Sequence, residues 1–219
     1  MRFKINLKIF LFIILFYFTK QMEIYATIMI FAIIHELGHL LAGILLGMRP
    51  EKIEIIPCGV SVSFKILPKD YNNKIKLGNV LELKKILVAL AGPITNLIII
   101  FIIGNFNIGI FKNLIIIYSN LLLFLFNLLP IYPLDGGRIL QSLLHILFGK
   151  KRAEKYTNNI SFITILIITF VGSIAIYLAK NIAIFIIILF LWTLFIRQDL
   201  IYRRRKKIYN LLEKGIEIK

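Results

Sequence analysis

Long apolar stretches, separated by short polar and basic ones, dominate the pattern along this sequence. Six apolar segments can be recognised, at residues 7–19, 24–48, 86–104, 110–129, 161–179 and 182–196. A helix needs about 20 residues to cross the hydrocarbon core of a bilayer, so the first and last segments are short for a full crossing. The pattern predicts an all-α polytopic membrane protein with about six transmembrane helices.

One stretch departs from this helical pattern. Residues 52–57 and 60–65 contain alternating β-branched residues on either side of Cys58 and Gly59, which predicts a β-hairpin at about residues 52–65. The polar residues 68–85 are too few for an inserted soluble domain. We therefore expect one transmembrane domain over residues 1–200, followed by a short basic tail at residues 201–219.

The basic residues locate the two sides of the membrane. The chain is 59% hydrophobic with a net charge of +16, and 24 of its 27 Lys and Arg residues fall on one side if the N-terminus is cytoplasmic. Because cytoplasmic loops are the basic ones, the sequence predicts a multi-pass cell-membrane protein with both termini in the cytoplasm. The basic residues 203–207 then favour contact with anionic lipid, and we expect no nucleic-acid partner.

Candidate chemistry lies in the second apolar segment. His35 and His39 are four residues apart, so on a helix they lie on one face and can reach one metal ion. Glu36 lies beside them, where a carboxylate can take a proton from an attacking water and pass it to a leaving amine. Gly38 lets a neighbouring helix approach closely. The sequence predicts a zinc site on this helix.

A catalytic zinc ion usually has three protein ligands, so a third ligand must come from elsewhere in the chain. The candidates are Asp70, Asp135, Asp199, His145, Cys58 and the remaining glutamates. Asp135 is favoured because two prolines and a Gly-Gly pair interrupt the backbone around it, and irregular backbone at membrane depth indicates a cavity. The alternative is that Asp135 caps a helix that starts near Gly136.

Two motifs together carry a family resemblance. The letters HELGH at residues 35–39 and NLLPIYPLDGG at residues 127–137 resemble the site-2 protease family of intramembrane zinc metalloproteases, most closely its stage IV sporulation protein FB type. The resemblance implies that His35, His39 and Asp135 bind one zinc ion per chain and that Glu36 is the general base. It also implies that Asn127 donates a hydrogen bond near the scissile carbonyl, whereas helix-to-helix bonding is the alternative role for Asn127.

The resemblance extends to two further segments. Residues 91–96, with the letters AGPITN, resemble a family stretch that lets helices pack closely around the site. The hairpin resembles the family's membrane-associated hairpin, whose edge could pair with an unwound substrate segment. We expect no inserted PDZ domain, which favours the sporulation FB type. The chain departs from that type in one respect: few residues follow Arg197, so we expect no nucleotide-sensing CBS domain.

The expected function is hydrolysis of a peptide bond in or near a membrane segment of a substrate protein. Candidate partners are the lipid bilayer, a membrane-associated protein substrate such as a sporulation sigma-factor precursor, and inhibitory or regulatory membrane proteins. Two other classes stay open at this point. One is a membrane transporter that carries zinc through the histidine pair, and the other is an inactive relative that binds helices without cutting.

Overall fold

The computed structural model describes residues 2–5, 17, 22–56, 59–65, 75–105, 113–179 and 182–217. These ranges contain three strands, β1 (Arg2–Ile5), β2 (Arg49–Ile56) and β3 (Gly59–Lys65), and six helices, α1 (Met22–Leu45), α2 (Ile75–Asn105), α3 (Asn113–Asn127), α4 (Asp135–Phe148), α5 (Lys150–Ala179) and α6 (Ile182–Glu217). The chain divides into two compact units, Met1–Leu128 and Leu129–Lys219.

Close helix contacts organise the first unit. Helix α1 packs against α2, and a methyl group added at Gly38 would overlap the hydroxyl of Thr95 and lie 3.1 Å from the carbonyl oxygen of Ala91. Pro93 stands inside α2 without ending it. The small residues of the 91–96 stretch therefore bring the two backbones together, as the sequence predicts.

A small sheet covers the end of α1. Strands β2 and β3 form the predicted antiparallel hairpin, with Ile53 opposite Val62, and the ring of Phe64 lies where a side chain at Gly43 would be. Strand β1 pairs in parallel with β2, with Phe3 opposite Ile53, and this strand was not expected from the sequence. Its four residues pair with a partner about 50 positions away, which no local pattern can reveal.

Helices α4, α5 and α6 form the second unit. Polar side chains join α5 to α6: Asn158 donates to Asp199 at 3.0 Å, and Trp192 donates to the hydroxyl of Thr169 at 3.0 Å. Nearer the basic ends, Arg205 pairs with the buried Glu154 at 3.2 Å. Helix α6 continues past residue 200 to Glu217, which adds about five turns, and the basic residues 203–207 lie in this extension.

Four of the described helices are long and apolar enough to cross a membrane, namely those covering Met22–Leu45, Gly78–Asn105, Lys150–Leu178 and Ile184–Leu211. Helix α3 is a shorter apolar helix over Leu114–Asn127. Large apolar side chains such as Phe101 and Phe170 are exposed to about 70%, as expected for surfaces that face lipid. The all-α membrane class with a small hairpin is confirmed, whereas the apolar segment at 7–19 lies outside the described residues apart from Tyr17.

The helices α5 and α6 are longer than the apolar segments that predict them. Residues 161–179 form only the second part of α5, which begins at Lys150, and α6 runs from Ile182 to Glu217. Hydropathy marks the part of a helix that lies in lipid, while the backbone hydrogen bonds continue through the polar turns beyond it. The observed lengths include both parts.

Candidate metal centre

Two buried histidines face each other on α1. The side chains of His35 and His39 are each only 3% exposed, and their Nε2 atoms lie 3.1 Å apart. Two nitrogens bound to one tetrahedral zinc ion, each at 2.0–2.1 Å, would lie about 3.3 Å apart. The pair is therefore spaced for one shared metal ion.

The hydrogen bond at the other nitrogen of His39 sets its tautomer. Nδ1 of His39 lies 2.6 Å from the carbonyl oxygen of Val88, and the amide nitrogen of Gly92 lies 3.3 Å from the same Nδ1. A carbonyl oxygen can only accept, so the shorter contact places the proton on Nδ1, and the longer amide contact is not a competing hydrogen bond. Nε2 of His39 then carries its lone pair toward His35, which is the arrangement typical of a metal ligand.

Gly92 of α2 supplies the wall opposite the two rings. A Cβ atom built there would lie 2.5 Å from Nε2 of His35 and closer still to Nε2 of His39. Real Cβ atoms do not approach other atoms so closely, so the hydrogen of glycine keeps a small space beside both ligand nitrogens. This space and the donor set fit a zinc ion. The sequence marked Gly92 only as a packing residue.

Glu36 follows His35 on α1 and is half-buried. Successive residues of a helix are about 100° apart, so its carboxylate leaves the helix beside the buried face that carries the histidines. A glutamate in this position is available to exchange protons next to a metal site.

Asp135 belongs to the second unit and is the first residue of α4. Its side chain is 6% exposed, and the guanidinium of Arg138 lies 3.8 Å from its carboxylate, one turn further along. The residue that caps the helix is Leu134, which makes no side-chain capping bond. Asp135 is therefore not the cap that the sequence allowed as an alternative, and its carboxylate is stabilised by the positive end of the helix dipole.

Two residues hold the loop before Asp135: Gly137, which belongs to the Gly-Gly pair recognised in the sequence, and Ser161, which the sequence did not indicate. Gly137 packs against the backbone of Ile131 and Tyr132, where a Cβ atom would overlap them. The hydroxyl of Ser161 accepts a hydrogen bond from the amide of Tyr132 at 3.1 Å and donates one to the carbonyl of Pro130 at 3.3 Å. The Gly-Gly pair was a signal for Gly137, whereas nothing in the local sequence marks Ser161.

Asn127 is the last residue of α3 and is half-buried. Its Nδ2 donates to the carbonyl oxygen of Leu123 at 3.0 Å, one turn back in the same helix. An amide group has two N–H donors and one oxygen, so this bond leaves a second donor of the side chain for another group.

Among the described residues, His35 and His39 of the first unit and Asp135 of the second each offer one atom that can bind a metal ion. The other ligand candidates have different surroundings. Asp199 is bound by Arg203 at 2.6 Å and by Asn158, and His145 lies in the last turn of α4. Asp70 and Cys58 lie outside the described residues.

The profile of peptidase family M50 matches residues 23–112 and 105–171 of the chain. This chain belongs to peptidase family M50. The matched ranges contain both histidines, Glu36, Asn127 and Asp135. Together with the four apolar helices, this membership makes the M50 chain an integral membrane protein.

Known proteins resemble this M50 chain in fold and in sequence. The solved structure of the site-2 protease from Methanocaldococcus jannaschii matches with a TM-score of 0.61 and 25% identity, over 89% of this chain and 88% of that one. A zinc metalloprotease of the same organism is 29% identical over 73% of this chain and 44% of its own length. Stage IV sporulation protein FB of Bacillus subtilis is 28% identical, over 68% of this chain and 49% of its own. The chain thus spans about half the length of the curated relatives it matches.

Proposed function

We propose that this M50 chain is an intramembrane zinc metalloprotease that hydrolyses a peptide bond in or next to a membrane segment of a substrate protein. The observation that carries the proposal is the buried histidine pair on an apolar helix, with Nε2 atoms 3.1 Å apart and one tautomer set by Val88. In this proposal His35, His39 and Asp135 hold one zinc ion. Zinc would act there as a Lewis acid toward the scissile carbonyl and the attacking water.

Glu36 is the general base of the proposed reaction. Its carboxylate accepts a proton as water attacks the carbonyl carbon, and it returns a proton to the nitrogen of the leaving amine as the C–N bond breaks. Asn127 supplies a hydrogen-bond donor to the developing oxyanion. Its free N–H is suited to this role because the bond to Leu123 holds the amide plane in place.

The proposed site lies near the cytoplasmic side of the membrane. His39 is six residues from the end of α1 at Leu45, which corresponds to about 9 Å at helical rise. The ammonium of Lys84 donates to the carbonyl of Leu46 at 2.8 Å, which places a charge at that helix end. With both termini cytoplasmic, as the basic residues favour, the product is released into the cytoplasm.

The proposed organisation is one protease domain over residues 1–200 and a basic tail over residues 201–219. The tail residues 203–207 continue α6 and contact anionic lipid headgroups. The substrate is a membrane-anchored regulator, and a sporulation sigma-factor precursor is one candidate. Other membrane proteins could inhibit or regulate the enzyme.

Substrate is proposed to bind as an added strand. In the sheet order β1-β2-β3, strand β3 has a described neighbour on one side only. A helix must unwind before its backbone can enter a protease site, and a strand edge stabilises the unwound segment through main-chain hydrogen bonds.

The decisive variant is Glu36→Gln. Purified protein reconstituted in liposomes with a membrane-tethered substrate is assayed for cleavage and for zinc content. We expect the variant to keep one zinc ion per chain and to lose at least 100-fold in cleavage rate, because an amide cannot carry the proton. Glu23→Gln, the same substitution at an exposed position of the same helix, should cleave at the wild-type rate.

Cleavage by Glu36→Gln at the wild-type rate would exclude the proposed mechanism. Zinc flux into liposomes that depends on His35 and His39, without cleavage, would instead establish a metal transporter. In cells, proteomics of membrane-anchored regulators should find a precursor that accumulates with Glu36→Gln and not with Glu23→Gln.

A further inference from the structure

Gly92 is distinguished from the other described glycines by what surrounds it. The three atoms nearest to a Cβ built at Gly92 all belong to the imidazoles of His35 and His39. At Gly38 and Gly43 the nearest atoms belong to Thr95 and Phe64, and at Gly104 nothing lies within 4 Å. The space beside Gly92 is thus directed at the two ligand nitrogens.

We propose that Gly92 is a positioning residue that keeps the coordination space beside His35 and His39 open for the metal ion. The inference rests on the proposed zinc site and adds a residue that does not itself bind the metal. It predicts that a single methyl group at this position excludes zinc while leaving the helix intact.

The distances to the two Nε2 atoms support this assignment. A zinc ion would lie at 2.0–2.1 Å from both Nε2 atoms. The added methyl carbon would lie at about 2.5 Å from the same two atoms. The ion and the carbon therefore lie on two rings around the axis that joins the nitrogens, about 0.6–3.2 Å apart depending on the angle between them. Where both lie on the same side of that axis, the methyl group occupies the volume of the ion or of its remaining ligands.

The two rings have little room to move away from such a methyl group. His39 is held by the carbonyl of Val88, which is one helical turn before Gly92 on the same face of α2. Helix α1 also contacts α2 closely at Gly38, where an added methyl group would overlap Thr95. The methyl group at Gly92 would then be accommodated by rotation of the imidazoles, which turns their lone pairs away from a common point.

The test compares Gly92→Ala with Gly104→Ala, a matched substitution in the open part of the same helix. Both proteins are purified in detergent, zinc per chain is measured by atomic emission, and the visible spectrum of the cobalt-substituted protein reports tetrahedral ligation. Thermal unfolding is recorded with the metal removed by a chelator. We expect Gly92→Ala to lose at least 10-fold in zinc content and to lack the cobalt spectrum, with metal-free unfolding close to that of Gly104→Ala.

One zinc ion per chain and an unchanged cobalt spectrum in Gly92→Ala would overturn the proposal. Gly38→Ala provides a second comparison, since its methyl group strains the same helix contact at Thr95 and not at the histidines. If Gly38→Ala retains zinc and Gly92→Ala loses it, the proposed role of Gly92 is supported even when both variants are less stable than the wild type. Equal zinc loss in both would overturn it, because separation of the helices would then explain the effect.

The proposed function fails in a different way. If the wild-type protein holds zinc but cleaves no tethered substrate, the protease assignment is contradicted while the role of Gly92 in metal binding stands. If the wild-type protein cleaves and Gly92→Ala keeps both zinc and activity, the role of Gly92 is contradicted while the protease assignment stands.

Discussion

The histidine pair and Asp135 are positioned by different kinds of structure. His35 and His39 lie on one uninterrupted helix, and the buried residues of α1 fall on one face: Tyr25, Ala32, His35, His39 and Gly43. Asp135 instead opens α4 after an irregular loop in which Tyr132 is bound by Ser161, 29 positions further along the chain. The difference teaches that helical periodicity places two proposed ligands at once, whereas the position of the proposed third ligand depends on contacts made at long range.

The largest expected effect is a difference in zinc affinity between His39→Ala and Asp135→Ala. Removing His39 breaks the nitrogen pair, and we expect zinc binding to weaken by more than about 1,000-fold, while Asp135→Ala should weaken it about 100-fold because both imidazoles remain. Competition with a chelator of known affinity measures both values. Leu41→Ala, at an exposed position of α1, serves as the control and should bind zinc normally. An equal loss of zinc affinity in His39→Ala and Asp135→Ala would refute the view that the histidine pair contributes more to zinc binding than Asp135 does.

An effect of intermediate size, on the stability of the fold, is expected from Gly137→Ala. A methyl group there overlaps the backbone of Ile131 and Tyr132, so Gly137→Ala should lower the free energy of unfolding by about 1–3 kcal/mol and shift the loop that leads to Asp135. Thermal unfolding and zinc affinity check this expectation. Gly78→Ala, with nothing within 4 Å of the added group, is the control. If both variants unfold alike, the packing of the loop against α4 does not matter for stability.

The smallest effect is expected at Ser161. Ser161→Ala removes the hydrogen bonds to Tyr132 and Pro130 and should cost about 1 kcal/mol, together with a modest loss of cleavage rate. Ser173→Ala removes a hydroxyl of the same helix that donates to the carbonyl of Thr169, within the helix itself. Unfolding curves of the two variants separate a role in holding the loop from a general effect on α5. A stability loss in Ser173→Ala as large as that in Ser161→Ala would argue against the loop contact.

Much of the architecture could be predicted because apolar helices in a membrane obey simple rules. Residues 24–48 and 86–104 predict α1 and the apolar part of α2, and alternation around Cys58 and Gly59 predicts the hairpin of β2 and β3. Strand β1 could not be predicted, because its four residues form a strand by pairing with β2, which is distant along the chain. The polar halves of α5 and α6 were missed because hydropathy does not register helices outside lipid.

The sequence by itself determined the ligand pair on α1, because a four-residue spacing on a helix places two imidazoles on one face whatever surrounds them. It also determined Asp135 as a favoured third ligand through the prolines and glycines around it, but left capping as an alternative. Only the tertiary structure decided that Leu134 is the cap, that Val88 sets the tautomer of His39 and that Gly92 faces the ligand nitrogens. These features depend on atoms brought together from distant parts of each unit, and spacing along one chain segment does not encode them.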